Sequence, residues 1–379
     1  MICPQYRPIV GGYERAAERL SAELVRNGSD VTVLAERRRH DWPATESSAG
    51  VWVRRLPCLY RSGWHSWTSV MSLAAYLLAK GRRFAVWHVH QYGIHATACV
   101  FLGFLMRRPV VLKLTCSDDE GIAEVIGSGR VPWLQAWALR RVRACVAISR
   151  ETADEAHRFG ITPGRIVRIP NGIDTRHFRP ASPTERRGIQ TSLGITGPII
   201  VWTGRLIERK NLVGLLHAWA LAVPHLTQRW TLAIVGDGPV RDQLVVLLAQ
   251  LNLNDTVMLA GKSSQVEDWL RAADAYVLSS HSEGLCNSTL EAMACGLPVL
   301  ATAVSGMQEL VSASGAGVIV PPRNTPALAE ALVSLLNDPG ARERMGANAR
   351  LAILGGYSIS GVAAAYVTLY DECTRGAYG

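Results

Sequence analysis

The chain reads as an α/β protein of two domains, each a parallel sheet covered by helices. Apolar strand-like runs alternate with helical patterns along most of its length. With 379 residues, 48% of them hydrophobic, it can bury a large core and is long enough to divide. A turn-rich stretch without either period, Pro170 to Pro183, separates the halves as a hinge.

In chain order, Met1 to Cys3 is a very short strand, and a helix runs from Gly11-Gly12 to about Arg26, where Asn27-Gly28 ends it. Val31–Leu34, Val86–Val89, Val110–Leu112 and Cys145–Ile148 are strands of the first half. Ile199–Trp202, Leu232–Val235, Val257–Leu259, Ala275–Leu278 and Pro298–Ala301 are those of the second. The longest apolar stretch, Ala96 to Met106, has 11 residues and is stopped by Arg107 and Arg108. That is short of the roughly 20 needed to span a bilayer, so a buried helix is expected. A final helix, about Ser360 to Glu372, follows Gly355-Gly356 and can return to the first domain. The expected division is residues 1–175 plus about 358–379 against 176–357.

No secretory signal opens the chain, and the three residues before Pro4 make a short first strand, as a shortened start would. A cytoplasmic protein is expected. Eight scattered cysteines without a Cys-x-x-Cys pair read as reduced core thiols. The net charge of +9 is unevenly spread: residues 1–180 hold 26 Lys+Arg against 15 Asp+Glu, and residues 181–379 hold 14 against 16. Basic doublets such as Arg82-Arg83 and Arg107-Arg108 suit either a face for anionic lipid or an acidic substrate, or a plain solvated surface. Nucleic acid is not expected, since no recognised binding module accompanies the charge.

Glu283 and Glu291 bracket a junction from loop to helix, eight positions apart. Glu283 falls in the turn and Glu291 on a helix that ends at Gly296 and Pro298. Gly284 permits close backbone approach, and the first amides of the helix, near Leu285, Cys286 and Asn287, suit phosphate. Gly204-Arg205, with Lys210-Asn211 shortly after, puts a bidentate fork and a mobile ammonium at one strand end, fit for two adjacent phosphates. Gly11-Gly12 is either a phosphate turn or a packing turn. Gly236-Asp-Gly238 has Arg241 where a dinucleotide motif has its third glycine, and reads as a tight turn.

His88 and His90 are expected on opposite faces of their strand, as core or cleft histidines without a metal. Asp118-Asp119-Glu120 reads as a solvated turn. Trp52 to Trp67, aromatic and basic, is either an acceptor- or membrane-facing loop or a strand and loop on the core.

Taken in order, these residues resemble the retaining family 4 glycosyltransferases. The resemblance rests on Gly11-Gly12-x-Glu14, Ala147-Ile-Ser149, Pro170-Asn-Gly-Ile-Asp174 with Phe178 and Pro180, Gly204-Arg205 with Lys210-Asn211, Val235 to Pro239, and Glu283 with Glu291. It implies two Rossmann-like domains facing across a cleft (the GT-B architecture), a nucleotide-sugar donor on the second domain, an acceptor on the first, and no metal. It implies that Arg205 and Lys210 bind the diphosphate, Glu283 the sugar hydroxyls and Glu291 the ribose. Amides of Gly12, Gly284, Leu285, Cys286 and Asn287 would complete the cradle beside Gly204, with Arg205, Lys210 and Glu283 acting in catalysis. The chain departs from the family pattern after Val110–Leu114, where Lys113 to Ser117 contains no histidine, and between the glutamates, which enclose Leu-Cys-Asn-Ser-Thr rather than a Phe-Gly-rich segment.

The resulting expectation is transfer of a hexose-type sugar from a nucleoside diphosphate, UDP first, to a saccharide or lipid-linked acceptor in cell-surface polysaccharide or glycoconjugate synthesis. The protein would then work at the inner face of the membrane. A nucleotide-sugar epimerase of similar shape, glycosylation of a small natural product, and a non-catalytic nucleotide-sugar binder are the alternatives.

Overall fold

In the computed structural model, which describes residues 1–9, 11–115, 121–127 and 131–375, the apolar runs of the sequence become the strands of two sheets, one in each of two units. The units are residues 1–172 with 359–379, and residues 173–358. The acidic run Asp118 to Glu120, with Cys116 and Ser117, lies outside the described residues.

The first unit has strands β1 (Thr32–Arg37), β2 (Thr45–Ser48), β3 (Val51–Pro57), β4 (Trp87–His90), β5 (Val110–Leu114), β6 (Ala144–Ala147) and β7 (Ile166–Arg168). They form rows β2-β3-β1 and β4-β5-β6-β7, in which β2 alone of the described strands runs antiparallel. Residues 1–3 join the rows, since Ile2 bridges Leu34 on one side and Val89 on the other, and its N–H donates to the His88 carbonyl at 2.7 Å. Helices α1 (Gly12–Arg26), α2 (His65–Lys80), α3 (Ile94–Met106), α4 (Ile122–Gly127), α5 (Pro132–Leu139) and α6 (Arg150–Arg158) cover this sheet.

In the second unit, strands β8 (Ile199–Thr203), β9 (Thr231–Val235), β10 (Val257–Gly261), β11 (Ala275–Leu278), β12 (Val299–Thr302) and β13 (Gly317–Val320) are all parallel, in the order β10-β9-β8-β11-β12-β13. Helices α7 (Pro183–Ser192), α8 (Leu212–Ala222), α9 (Arg241–Gln250), α10 (Val266–Ala272), α11 (Asn287–Ala294), α12 (Thr325–Asn337) and α13 (Pro339–Gly356) surround it. Both faces of β8, β11 and β12 are buried, which is why they read as unbroken apolar runs. The strand order reverses between β8 and β11, so the chain leaves their carboxyl ends toward opposite faces and opens a crevice there.

The last helix, α14 (Ile359–Arg375), belongs to the first unit, where Ile359, Val362, Tyr366 and Leu369 share a core with Leu20 and Leu24 of α1. No helix of the described residues is long and apolar enough to cross a membrane. The expectation of a buried helix at Ala96 to Met106 needs correction. Ala96, Cys99, Val100 and Leu102 of α3 are buried, but Phe101, Phe104 and Leu105 are 51%, 69% and 66% exposed. A helix on one face of a sheet buries only one stripe, whatever the hydropathy of the other.

Candidate functional site

The crevice at the β8/β11 reversal collects most of the residues singled out in the sequence. β8 delivers Gly204 and Arg205 at its carboxyl end, followed by a single 3-10 turn, Glu208–Lys210. Asn211 then takes a left-handed conformation (φ 51°) and caps α8, its side chain accepting from the Gly214 N–H at 3.2 Å. β11 delivers Ser279 and Ser280, the turn carrying Glu283, and α11, which begins at Asn287 after Cys286.

These two loops meet. Lys210 Nζ donates to Glu283 Oε1, and the two side chains are 13% and 9% exposed. Ser280 Oγ donates to the same carboxylate oxygen at 2.7 Å, and Ser279 Oγ donates to the Lys210 carbonyl at 2.9 Å. The His281 N–H holds the Arg209 carbonyl at 2.8 Å. Burial works to lower the Lys210 pKa, but the facing Cys286 and Glu283 outweigh it and raise the ammonium above its ordinary value. The sequence reading gave Lys210 and Glu283 to different parts of a ligand; in the free protein they neutralise each other.

Gly284, Leu285 and Cys286 are buried, and Asn287 opens α11. Their neighbours are fixed by a short polar chain, Tyr276 Oη to Ser288 Oγ at 2.7 Å and Ser288 Oγ to Cys286 Sγ at 3.2 Å. Glu291 lies one turn into α11 and is 4% exposed. Arg205, by contrast, is exposed and has no side-chain partner among the described residues, so its fork is free for an incoming anion. Ser280 and Asn211 were not singled out for a role by sequence; Ser-x-x-Glu at 280–283 is the spacing that could have revealed the first.

The glycines of this crevice do packing work. Gly236, at the end of β9 with φ 155°, lies so close to β8 that a Cβ there would stand 1.8 Å from the Gly204 carbonyl oxygen. A Cβ on Gly238 would come within 2.3 Å of the Leu206 carbonyl oxygen. Gly236-Asp-Gly238 is thus a tight turn that lets the loop after β8 lie down beside β9.

The remaining candidates lie in the first unit. Gly12 is the exposed first residue of α1, and a Cβ on its neighbour Gly11 would meet a Glu14 carboxylate oxygen at 2.3 Å. Tyr13 Oη pins the approach to the helix by donating to the Gln5 carbonyl at 2.7 Å. The expectation that His88 and His90 point to opposite faces is wrong. Residues two apart on a strand share a face, and the two rings are 4.3 Å apart. Both are buried, which lowers their pKa well below the ordinary value, and His88 Nδ1 pairs with Tyr370 Oη at 2.7 Å. Lys113, on the neighbouring strand, is buried and donates to Asn171 Oδ1 at 2.8 Å.

One set of three potential metal donors occurs among the described residues, Glu36, Cys58 and His65. Its carboxylate is already engaged by Arg38 at 2.8 Å and Ser69 at 2.6 Å. The seven described cysteines are free thiols, six of them buried. Trp52 stands on β3, whose alternate residues face solvent, whereas Trp64 and Trp67 belong to the start of α2.

Comparison with known proteins identifies the family of each half of the chain. Residues 11–172 match the family described as glycosyl transferase 4-like domain, and residues 188–352 match glycosyl transferases group 1. The alpha-D-kanosaminyltransferase of Streptomyces kanamyceticus is 28% identical over 300 residues, 75% of this chain and 77% of its own. The D-inositol 3-phosphate glycosyltransferase of Frankia alni is 36% identical over 213 residues, about half (52%) of each chain. Among solved structures, that of Anabaena HepE in complex with UDP superposes with a TM-score of 0.80, covering 98% of both chains at 17% identity.

Proposed function

The chain is a glycosyltransferase of the family 4 type, a hexosyltransferase with the GT-B fold, and from that premise we propose that it moves a hexose-type sugar from a nucleoside diphosphate, UDP by preference, to a saccharide or lipid-linked acceptor with retention of configuration. The observation that carries this reading is the buried Lys210–Glu283 pair beside the start of α11, at the reversal of a parallel sheet. A nucleotide-sugar is sugar, diphosphate and ribose in turn. Glu283 accepts from sugar hydroxyls, Arg205, Lys210 and the amides from Gly284 to Asn287 take the diphosphate, and Glu291 accepts from the ribose. A UDP-bound relative of the same fold supports the choice of nucleotide.

In the transfer, the bond from the anomeric carbon to the diphosphate oxygen breaks and its electron pair leaves with the phosphate. The sugar passes through an oxocarbenium-like state, and the acceptor hydroxyl adds on the face the phosphate vacates, its proton passing to the departing phosphate oxygen. Negative charge grows on the leaving group, so Arg205 and Lys210 stabilise the transition state more than the bound donor. No metal enters this scheme. The first unit holds the acceptor. A lipid-linked acceptor brings the protein to the inner face of a membrane, in the synthesis of cell-surface glycans.

A thermal-shift screen of nucleotide sugars tests the reading, because a ligand of the native state raises apparent stability according to its affinity. UDP and one UDP-hexose should raise the melting temperature. Glu291→Ala should abolish both shifts, and Glu283→Ala only the part due to the sugar. No response to any nucleoside diphosphate would overturn the proposal.

A further inference from the structure

One face of the first unit is apolar, exposed and ringed by cations. The outward stripe of α2 consists of Trp67, Met71, Ala75 and Leu78, continued at the same spacing by Trp64 at the N-cap, with Trp64 and Trp67 69% and 51% exposed. α3 packs on α2 and continues the stripe with Ile94, Phe101, Phe104 and Leu105, all exposed. α5 packs on α3 in turn, Trp137 meeting Phe101 and Phe104 with ring centroids 6.3 and 6.2 Å apart, and Trp133 beyond it is 72% exposed. Tyr76, Met106 and Trp137 are half-buried against the core, and the exposed large apolar side chains of the three helices lie outside them.

Charge marks what covers the face. Residues 47–117 contain nine Lys+Arg and no Asp or Glu. Lys80, Arg82 and Arg83 at the end of α2 adjoin Arg107 and Arg108 at the end of α3, where Arg108 donates to the Arg82 carbonyl at 2.7 Å. Arg140 and Arg141 follow α5, Arg141 lying over the Trp137 ring at 4.5 Å. Among the described residues none of these seven has a carboxylate partner; of the four acidic residues between β3 and α6, Glu124 is described, and Asp118, Asp119 and Glu120 lie outside the described residues. Interfacial tryptophans with phenylalanine and leucine at their centre, and unpaired arginines at the margin, form the pattern by which a surface lies in the headgroup region of an anionic bilayer. A soluble anion would meet the arginines but leave the aromatic stripe wet, and a protein partner would need carboxylates ringing an apolar centre.

We propose that the exposed face of α2, α3 and α5 is a docking surface for an anionic lipid bilayer. The proposal extends the lipid-linked reading above, yet binding to vesicles without donor or acceptor examines the surface alone. Transfer to a soluble acceptor, with vesicle binding intact, would remove the lipid-linked acceptor and leave this surface standing.

The full chain should sediment with phosphatidylcholine vesicles containing phosphatidylglycerol, poorly with phosphatidylcholine alone, and less as salt rises. Trp67→Ser with Phe104→Ser, and separately Arg83→Gln with Arg107→Gln, should each lower partitioning about tenfold or more at unchanged melting temperature. Equal sedimentation with neutral vesicles, or variants that bind like the native chain, would overturn the proposal. Concentration-dependent self-association that Trp67→Ser with Phe104→Ser abolishes, without vesicle binding, would assign the face to a second copy instead.

Discussion

Lys210 and Glu283 hold each other in the free protein, so a diphosphate that draws the ammonium away must compete with a carboxylate. In Glu283→Gln that competitor loses its charge while Ser280 keeps a partner. UDP binding should therefore stay level or strengthen by a few-fold, while turnover of the sugar-bearing donor falls by about 100-fold or more, the order expected for a group stabilising developing charge. Calorimetric titration with UDP and steady-state kinetics read the two effects. Equal weakening of UDP and of the nucleotide sugar would contradict this division of labour. Lys113 permits a second prediction. It is wholly buried, and desolvation takes its pKa from 10.5 down to about 8. The unfolded chain therefore holds this proton between pH 8 and 10.5 when the folded chain does not. The unfavourable contribution is full below pH 8 and is relieved as pH rises to 10.5. Lys113→Met should unfold at higher denaturant than the native chain near neutrality, with the advantage shrinking by about 3 kcal/mol across that window. Comparing the two chains cancels the opposing titration of the buried cysteines; a constant difference would show that Lys113 is not desolvated.

The elements around the crevice depend on two strand ends being able to touch. Gly236 stands against the Gly204 carbonyl at a positive φ, whereas Gly28, after α1, has φ 85° with open space where a Cβ would go. Both alanine substitutions incur the backbone penalty, about 1 kcal/mol, but only Gly236→Ala must push β8 and β9 apart, for a loss nearer 3 kcal/mol and a displaced Arg205 loop. Denaturant unfolding of the pair, with UDP affinity as a second readout, separates them; equal losses would mean that the close approach is relaxed in solution. The same contrast explains how much was legible beforehand. Strands β8, β11 and β12 stand out because burial on both faces makes them continuous apolar runs. The polar β2, Thr45–Ser48, and the three-residue β7, Ile166–Arg168, carry no such run and become strands only by pairing with a neighbour already in place. The turn at Glu283 and the helix start at Asn287 could be read from local chemistry. The bond from Lys210 to Glu283 could not, since it spans 73 residues and exists only because β11 enters the sheet beside β8. The placing of His88 and His90 needed no tertiary information, only the period of a strand, and was misread for that reason alone.

At the scale of the whole molecule, the chain passes between its two units twice, at residues 172–173 and 358–359, and gives its last helix to the unit in which it began. α14 is no loose appendage there. Ile359, Val362, Ala363, Tyr366, Leu369 and Cys373 are buried in the core that also holds α1, and Tyr370 Oη pairs with His88 on β4. Burying a large apolar side chain is worth about 1.5–3 kcal/mol, so losing several at once exceeds the stability of an ordinary domain. The second unit draws none of these residues into its own core. Ending the chain after Ser358 should therefore unfold the first unit and spare the second. Hydrogen exchange should show β4 to β6 and α1 losing protection while β8, β9 and β11 keep it. UDP, if the second unit alone supplies most of its contacts, should still raise the melting temperature of what remains. Loss of protection in both sheets together would show that the units fold as one, and would make the second unit's site depend on the first for its stability.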